Sequence, residues 1–320
     1  MTRRTFSTAV AALAAAGLLV LSGCSSSDNS GTSGSSSKPS LVTSTNVWAS
    51  VASAVAGDKA TVTALFTDPT GDPHDFEPSA SDTAKITDAD VVLMNGGHYD
   101  EYMEQASQGV KGTVINAFDI MTRNHLAATL DAAEAAEGHQ HGEVNEHVFY
   151  NLPVVGDVAN AVADALAKKD PADAATFHAN ATAFNTKITG LRGSLATIKK
   201  DHSGTKVAQT EPLAGYLLAE AGLVDASPAS FTAAVENDQT PSAADRAAMQ
   251  DLITKHEIKV FVYNVQAVDS VTEALLSTAK SANIPVVKFT ETLPSGVTDY
   301  ITWQQGQIAD LTSALSHGSA

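Results

Sequence analysis

The sequence predicts an α/β fold of two similar lobes, each a small parallel sheet with flanking helices, joined by one long linking helix. Three observations carry this. Short apolar runs alternate with helical patterns, the order that parallel strands with helical crossovers require. Four of these runs fall before residue 120 and four after residue 204. Between the two groups, Phe177, Ala181, Phe184, Ile188, Leu191, Leu195 and Ile198 recur at alternating spacings of four and three, which is one apolar face of a continuous helix.

Taken in order, the expected strands of the first lobe are 41–45, 60–66, 90–94 and 113–117, and those of the second are 205–209, 223–226, 259–263 and 285–289. Helical patterns cover 47–56, 242–256 and 268–282. Asp170 suits a helix cap and Pro171 the first helical position, so the linking helix is expected over 171–203. Lys199 and Lys200 oppose the helix dipole at its end, while Gly190 and Gly193 weaken its middle. A single helix between lobes is stiffer than a hinge of strands, so limited domain closure is expected.

The ends read differently. Arg3 and Arg4 precede an apolar run of signal-peptide length that ends in small residues, giving an export signal over 1–23. Thr2-Arg3-Arg4-Thr5-Phe6 also looks like a twin-arginine signal. Leu21-Ser22-Gly23-Cys24 resembles the bacterial lipobox, which makes Cys24 a candidate for lipidation. Residues 24–40 then form a lipid-anchored Ser/Gly linker, too polar to bury a core. The first lobe is expected over 41–170 and the second over 204–320. An exposed, mobile insertion rich in His and acid is expected at 124–146.

Composition narrows the function. The net charge of −17 disfavours nucleic acid and anionic lipid as partners and suits the collection of cations. Cys24 is the only cysteine, which excludes internal disulfides and cysteine-based zinc sites. The sequence has no glycine-rich phosphate loop, no nucleophile elbow and no His-Glu-x-x-His run. Histidines and carboxylates remain. In open α/β lobes, ligands bind beyond the carboxyl ends of strands. The segments there present His74 in Thr70-Gly71-Asp72-Pro73-His74-Asp75-Phe76-Glu77-Pro78 and His147 in Glu146-His147-Val148-Phe149-Tyr150. In the second lobe they present Glu211 in Gln209-Thr210-Glu211-Pro212 and Glu291 in Phe289-Thr290-Glu291-Thr292. If the lobes face one another, two imidazoles and two carboxylates converge, a donor set for a divalent transition metal.

These segments resemble the metal-binding solute-binding lipoproteins of zinc and manganese ABC transporters. Residues Asp72-Pro73-His74-Asp75-Phe76-Glu77-Pro78-Ser79-Ala80-Ser81-Asp82 are close to that family's D-P-H-x-[FY]-E-P-x-P-S-D motif, with Ala80 in place of a proline. Residues 146–153 resemble its D-P-H-V-W-x-D-P motif without the leading proline. The resemblance runs from about residue 41 to 316 and includes the linking helix. It implies His74 and His147 as ligands and Glu211 at a third position that is His in many zinc-type members and Glu in many manganese-type ones. It places Glu291 where the family usually has Asp.

The role implied is capture of an ion, zinc (Zn²⁺) first and manganese (Mn²⁺) next, on the outer face of the cytoplasmic membrane. Delivery would be to a permease driven by a separate ATPase, by a monomer that is not an enzyme. The alternatives are a binder of an organic ligand of siderophore or haem type, or an envelope metallohydrolase with Glu77 or Glu146 as base. His139 and His141 are candidates for accessory metal capture or are plain solvated loop residues. Glu77 is expected to brace its loop or stand behind the ligands, and His98 to begin a helix. His125, His178, His202, His256 and His317 are expected at the surface, while Trp48, Trp303, Tyr216 and Tyr263 are expected to pack.

Overall fold

The computed structural model describes residues 38–124 and 145–317. The export signal, Cys24 and most of its linker lie outside the described residues, as do His125, His139, His141, the His317 side chain and nearly all of the expected insertion. From Lys38 onward the chain forms one compact unit that holds both sheets. No helix among the described residues is long and apolar enough to cross a membrane.

The first sheet contains β1 (Ser40–Thr45), β2 (Thr61–Phe66), β3 (Val91–Met94) and β4 (Thr113–Asn116) in the order β2-β1-β3-β4. The second contains β5 (Lys206–Gln209), β6 (Val224–Asp225), β7 (Val260–Asn264) and β8 (Val286–Phe289) in the order β6-β5-β7-β8. Every pairing is parallel; Val42, for example, lies opposite both Thr63 and Val92, and Val207 opposite both Asp225 and Val260. The two sheets therefore share one winding. Each reverses direction beside its first strand, between β1 and β3 and between β5 and β7. Such a reversal opens a crevice at the carboxyl ends of the strands.

The helices are α1 (Asn46–Ala56), α2 (Ala80–Asp88), α3 (Glu101–Ser107) and α4 (Ala117–Arg123) in the first lobe. Then come α5 (Leu152–Lys169) and α6 (Ala174–His202). The second lobe has α7 (Gly215–Glu220), α8 (Ala229–Glu236), α9 (Ala243–Thr254), α10 (Ser270–Ser281) and α11 (Tyr300–His317).

The linking helix begins later than its sequence suggests. Asp170 closes α5 instead of opening α6, its carboxylate accepts the Ala172 N–H at 3.2 Å, and the N-cap position falls to Asp173. A short turn fits between two helices because Pro171 can start a turn as readily as a helix. The 29 residues of α6 span about 44 Å, and all seven residues of the apolar stripe are buried.

That stripe unites the molecule. One apolar cluster runs from Leu41, Val91 and Leu93 on the first sheet through Phe177, Ile188 and Leu195 to Val207, Val260 and Phe289 on the second. Trp48 and Trp303 are both buried and both satisfied, their indole N–H groups donating to Asn95 Oδ1 at 3.3 Å and Thr290 Oγ1 at 3.0 Å. Smaller clusters cover the outer faces of the two sheets.

Candidate metal centre

The loop after β2 carries His74. Asp72 Oδ1 accepts the His74 backbone N–H at 2.8 Å, and Gln266 of the second lobe donates to the Gly71 carbonyl at 2.6 Å. Phe76 meets Phe66 and Tyr102 edge-on, with centroids 5.5 and 5.2 Å apart. Glu77, expected to brace this loop, is instead exposed. Asp72 does that work, because its short side chain reaches back to the backbone two residues on.

His147 lies just before a single 3-10 turn, Val148–Tyr150, and is fully buried. Asn145 Oδ1 sits 2.9 Å from both its backbone nitrogen and its Nδ1. A proton on Nδ1 satisfies that contact and leaves the Nε2 lone pair for the interior. Nε2 has no hydrogen-bond partner. Asn145 is held in turn by the second lobe, donating to the Pro212 carbonyl at 2.6 Å and accepting from the Tyr216 hydroxyl at 2.5 Å.

Glu211 and Glu291 follow β5 and β8 by two residues, and both are buried. Asn264, the last residue of β7, donates to Glu211 and, at 2.8 Å, to Glu291 Oε1. The Tyr99 hydroxyl donates to Glu291 Oε2 at 3.0 Å, and the Glu291 N–H donates to Gln266 Oε1 at 2.6 Å.

The structure thus brings three of the four sequence-predicted ligands around one point. Glu291 Oε2 is 3.3 Å from His74 Nε2 and 3.6 Å from His147 Nε2. One donor atom from each of these three residues lies within 4.8 Å of the others. Donors on a common ion are spaced in this way, since each stands about 2 Å from the metal. Glu211 is the neighbour of this trio through Asn264 and is not within it. Two further carboxylates approach: Glu146 Oε1 lies 3.6 Å from His74 Nδ1, and Glu236 Oε1 lies 3.7 Å from His147 Nε2. His98 is exposed and paired with Glu101 at 2.9 Å. His178 and His256 are exposed and His202 is half-buried.

The electrostatics follow from packing several acids into a dry space. Burial opposes charge on His74, but the Glu291 hydrogen bond and the charges of Glu291, Glu236 and Glu146 outweigh it and push its pKa up to about 11. His147 shifts the same way for similar reasons: burial lowers it, while Glu236 and Glu291 raise it further. Glu291 is destabilised by burial yet held well below the usual carboxylate range by its contacts with the two imidazoles. Glu211 goes well up, through burial first and then repulsion from Glu291. Burial likewise lifts Glu146 to about 8 and Asp72 to about 6. A metal entering would compete with the protons that these raised groups favour.

Sequence reasoning did not single out Tyr99, Asn264 or Glu236 as parts of the site, and it considered Glu146 only as a base. Asn264 had a usable signal, since it ends a strand beside the point where the second sheet reverses. Glu236 had none: it ends a short helix with no motif around it.

The fold is shared with proteins of known structure. The periplasmic zinc-binding protein TroA from Treponema pallidum superposes with a TM-score of 0.71 at 17% identity, over 87% of this chain and 99% of TroA. The solute-binding protein FpvC from Pseudomonas aeruginosa, solved with Ni²⁺, gives a TM-score of 0.67 at 22% identity, over 89% and 99% of the two chains. The chain belongs to the family described as zinc-uptake complex component A, periplasmic (ZnuA), whose model matches residues 41–314.

Among curated relatives, the zinc-binding protein AdcA of Streptococcus pyogenes serotype M1 is 26% identical over 248 residues, 72% of this chain and 47% of AdcA. The manganese-binding lipoprotein MntA of Halalkalibacterium halodurans is 28% identical over 167 residues, 52% of this chain and 51% of MntA. The chain spans about half the length of these relatives.

Proposed function

We propose that the protein is the extracytoplasmic binding component of an ABC uptake transporter for a divalent transition metal. It holds the ion between its lobes through His74, His147 and Glu291, with Glu211 beside them, and delivers it to a membrane permease served by an ATPase. It binds and releases its cargo unchanged, without a catalytic step. The observation that carries this reading is the buried His147 Nε2, which has no hydrogen-bond partner and lies 3.6 Å from an ionised carboxylate. A buried polar atom of this kind costs stability unless something pairs with it. The donor spacing suits a single ion and not an organic molecule.

Zinc is the leading cargo and manganese the alternative. Imidazole and carboxylate donors bind Zn²⁺ more tightly than Mn²⁺ by intrinsic preference. Several carboxylates around two imidazoles would soften that preference, because oxygen donors suit Mn²⁺. Cys24 is proposed as the lipid attachment that keeps the monomer at the outer face of the membrane.

The test is elemental analysis of the mature protein purified without chelator or affinity tag, followed by competitive titration with Zn²⁺ and Mn²⁺. One tightly held equivalent, lost in His74→Ala, is the expected result. Absence of stoichiometric metal under every condition would overturn the reading. Whichever ion is retained in a metal-buffered mixture identifies the cargo.

A further inference from the structure

Glu236 and Glu146 are unexplained by a single ion at Glu291. Both Glu236 carboxylate oxygens are buried without a hydrogen-bond partner. Glu236 is also the last residue of α8, where the helix dipole disfavours negative charge. It faces Glu146, a second buried acid: one donor atom each from His74, Glu146 and Glu236 lies within 4.8 Å of the others. Two carboxylates this close do not both keep their charge unless a cation lies between them.

His74 links the two groups. Its Nε2 faces Glu291 at 3.3 Å while its Nδ1 faces Glu146 at 3.6 Å. The two nitrogens of one imidazole point in different directions and cannot serve one ion, so the groups mark two positions on opposite edges of the ring. They also differ in depth. The side chains of His147 and Glu291 are 0% and 1% exposed, whereas Glu146 and Glu236 are 15% and 13% exposed. The fully buried His147 Nε2, unpartnered and 3.7 Å from Glu236 Oε1, stands at the boundary between them.

We propose that His74, Glu146 and Glu236 form a second, outer cation station, through which a divalent metal ion passes on its way to and from the inner position at Glu291. This rests on the metal-binding reading above. An incoming ion carries a water shell and sheds it in steps. Glu146, whose side chain is 15% exposed, can replace the first waters, and Glu236 behind it the next. The ion then exchanges them for the two imidazole nitrogens and Glu291. A neutral imidazole has one lone pair, so His74 would serve the outer ion through Nδ1 only while Nε2 carries the ring proton. Once Nε2 takes the inner ion, Glu146 and Glu236 alone would hold a second, weaker equivalent, and the station would raise the rates of entry and exit without setting the affinity of the inner position.

The test compares Glu236→Gln with Glu291→Gln, both in the mature full chain, with Zn²⁺ and Mn²⁺ as the probes. Glutamine keeps the shape and removes the charge. Two readouts are taken: binding stoichiometry by calorimetry, and association and dissociation rates by stopped flow against a chelating dye. The expected result for Glu236→Gln is that the tight equivalent stays, the weaker equivalent disappears, and both rates fall about tenfold together. Glu291→Gln should lose the tight equivalent instead. Anomalous scattering from crystals grown with excess Mn²⁺ should give a second peak between Glu146 and Glu236. Unchanged rates and stoichiometry in Glu236→Gln would overturn the proposal, as would loss of the tight equivalent, which would make Glu236 a ligand of the inner ion. If the unaltered protein binds no metal, the functional reading itself fails; tight binding that Glu236→Gln leaves wholly unaffected sinks only the outer station.

Discussion

Asn264 decides how the carboxylates of this site are presented. Its amide is shared between Glu211 and Glu291, and its hydrogen bond to Glu211 opposes the rise that burial and the Glu291 charge impose on that acid. Groups that orient a metal ligand are typically worth a factor of about 10–100 in affinity. Asn264→Ala is therefore expected to weaken metal binding by about that factor while leaving one equivalent bound, as read by chelator competition. An unchanged affinity would show that Glu291 is held well enough by Tyr99 and Gln266 alone. The histidines of this site were legible in the sequence because prolines and acids fix the loops around them. The partners were not. Asn264, Tyr99 and Glu236 are ordinary residues until the two lobes face each other, and no local pattern encodes that meeting. Glu211 lay between these cases: its place beyond a strand was readable, but its engagement with Asn264 in preference to the imidazoles depended on packing.

The turn after β3 places Tyr99. Gly96 has a φ of +76°, and a Cβ there would stand 2.1 Å from Asn116 Oδ1. That oxygen caps α4 by accepting the Asp119 N–H at 3.0 Å. Gly96→Ala thus meets a strained backbone and a side chain already committed. It is expected to lower stability by more than about 1 kcal/mol in chemical denaturation. The same variant should speed metal release, because Tyr99 shifts from Glu291. The helix after the His74 loop carries a pH dependence. Ser79 and Asp82 form a capping box on α2. Hydrogen bonds from Lys85 and Ser79 hold the Asp82 pKa down to about 2. A carboxylate lowered on folding contributes stability that is complete above its unfolded value, about 3.9. That contribution is lost as pH falls through about 2. Denaturation midpoints measured between pH 5 and pH 2 should fall more steeply in the natural protein than in Asp82→Asn. Among elements, the strands and the long helix were readable because their apolar periods are strong. The start of α6 was misplaced because Pro171 fits a turn and a helix equally. Helix α5 went unassigned, although Asn151 caps it and Pro153 stands in its first turn.

One apolar cluster of the described residues spans both lobes, which opposes a free swing of one against the other. Ion binding should then raise thermal stability without a large change in shape. Metal at about 100 times its dissociation constant adds about 2.7 kcal/mol, a rise of several degrees for a chain of this size. The radius of gyration from solution scattering should stay nearly constant with and without metal; a marked contraction would mean that the lobes do hinge. Among the bonds between the lobes, two sets stand apart from the site's own. In one, Tyr150 donates to the Thr290 carbonyl at 2.7 Å and Tyr300 to the Phe149 carbonyl at 2.6 Å, both among packed aromatic rings. In the other, Gln266 reaches the Gly71 carbonyl at 2.6 Å and the Thr292 hydroxyl reaches the Asp68 carbonyl at 3.0 Å. The first set is the spine of a book and the second is its clasp. Gln266 in the clasp also accepts the Glu291 N–H, so loosening the clasp reaches an ion donor as well as the cover. The time an ion stays aboard would then be set at the clasp, while the spine keeps the two covers together.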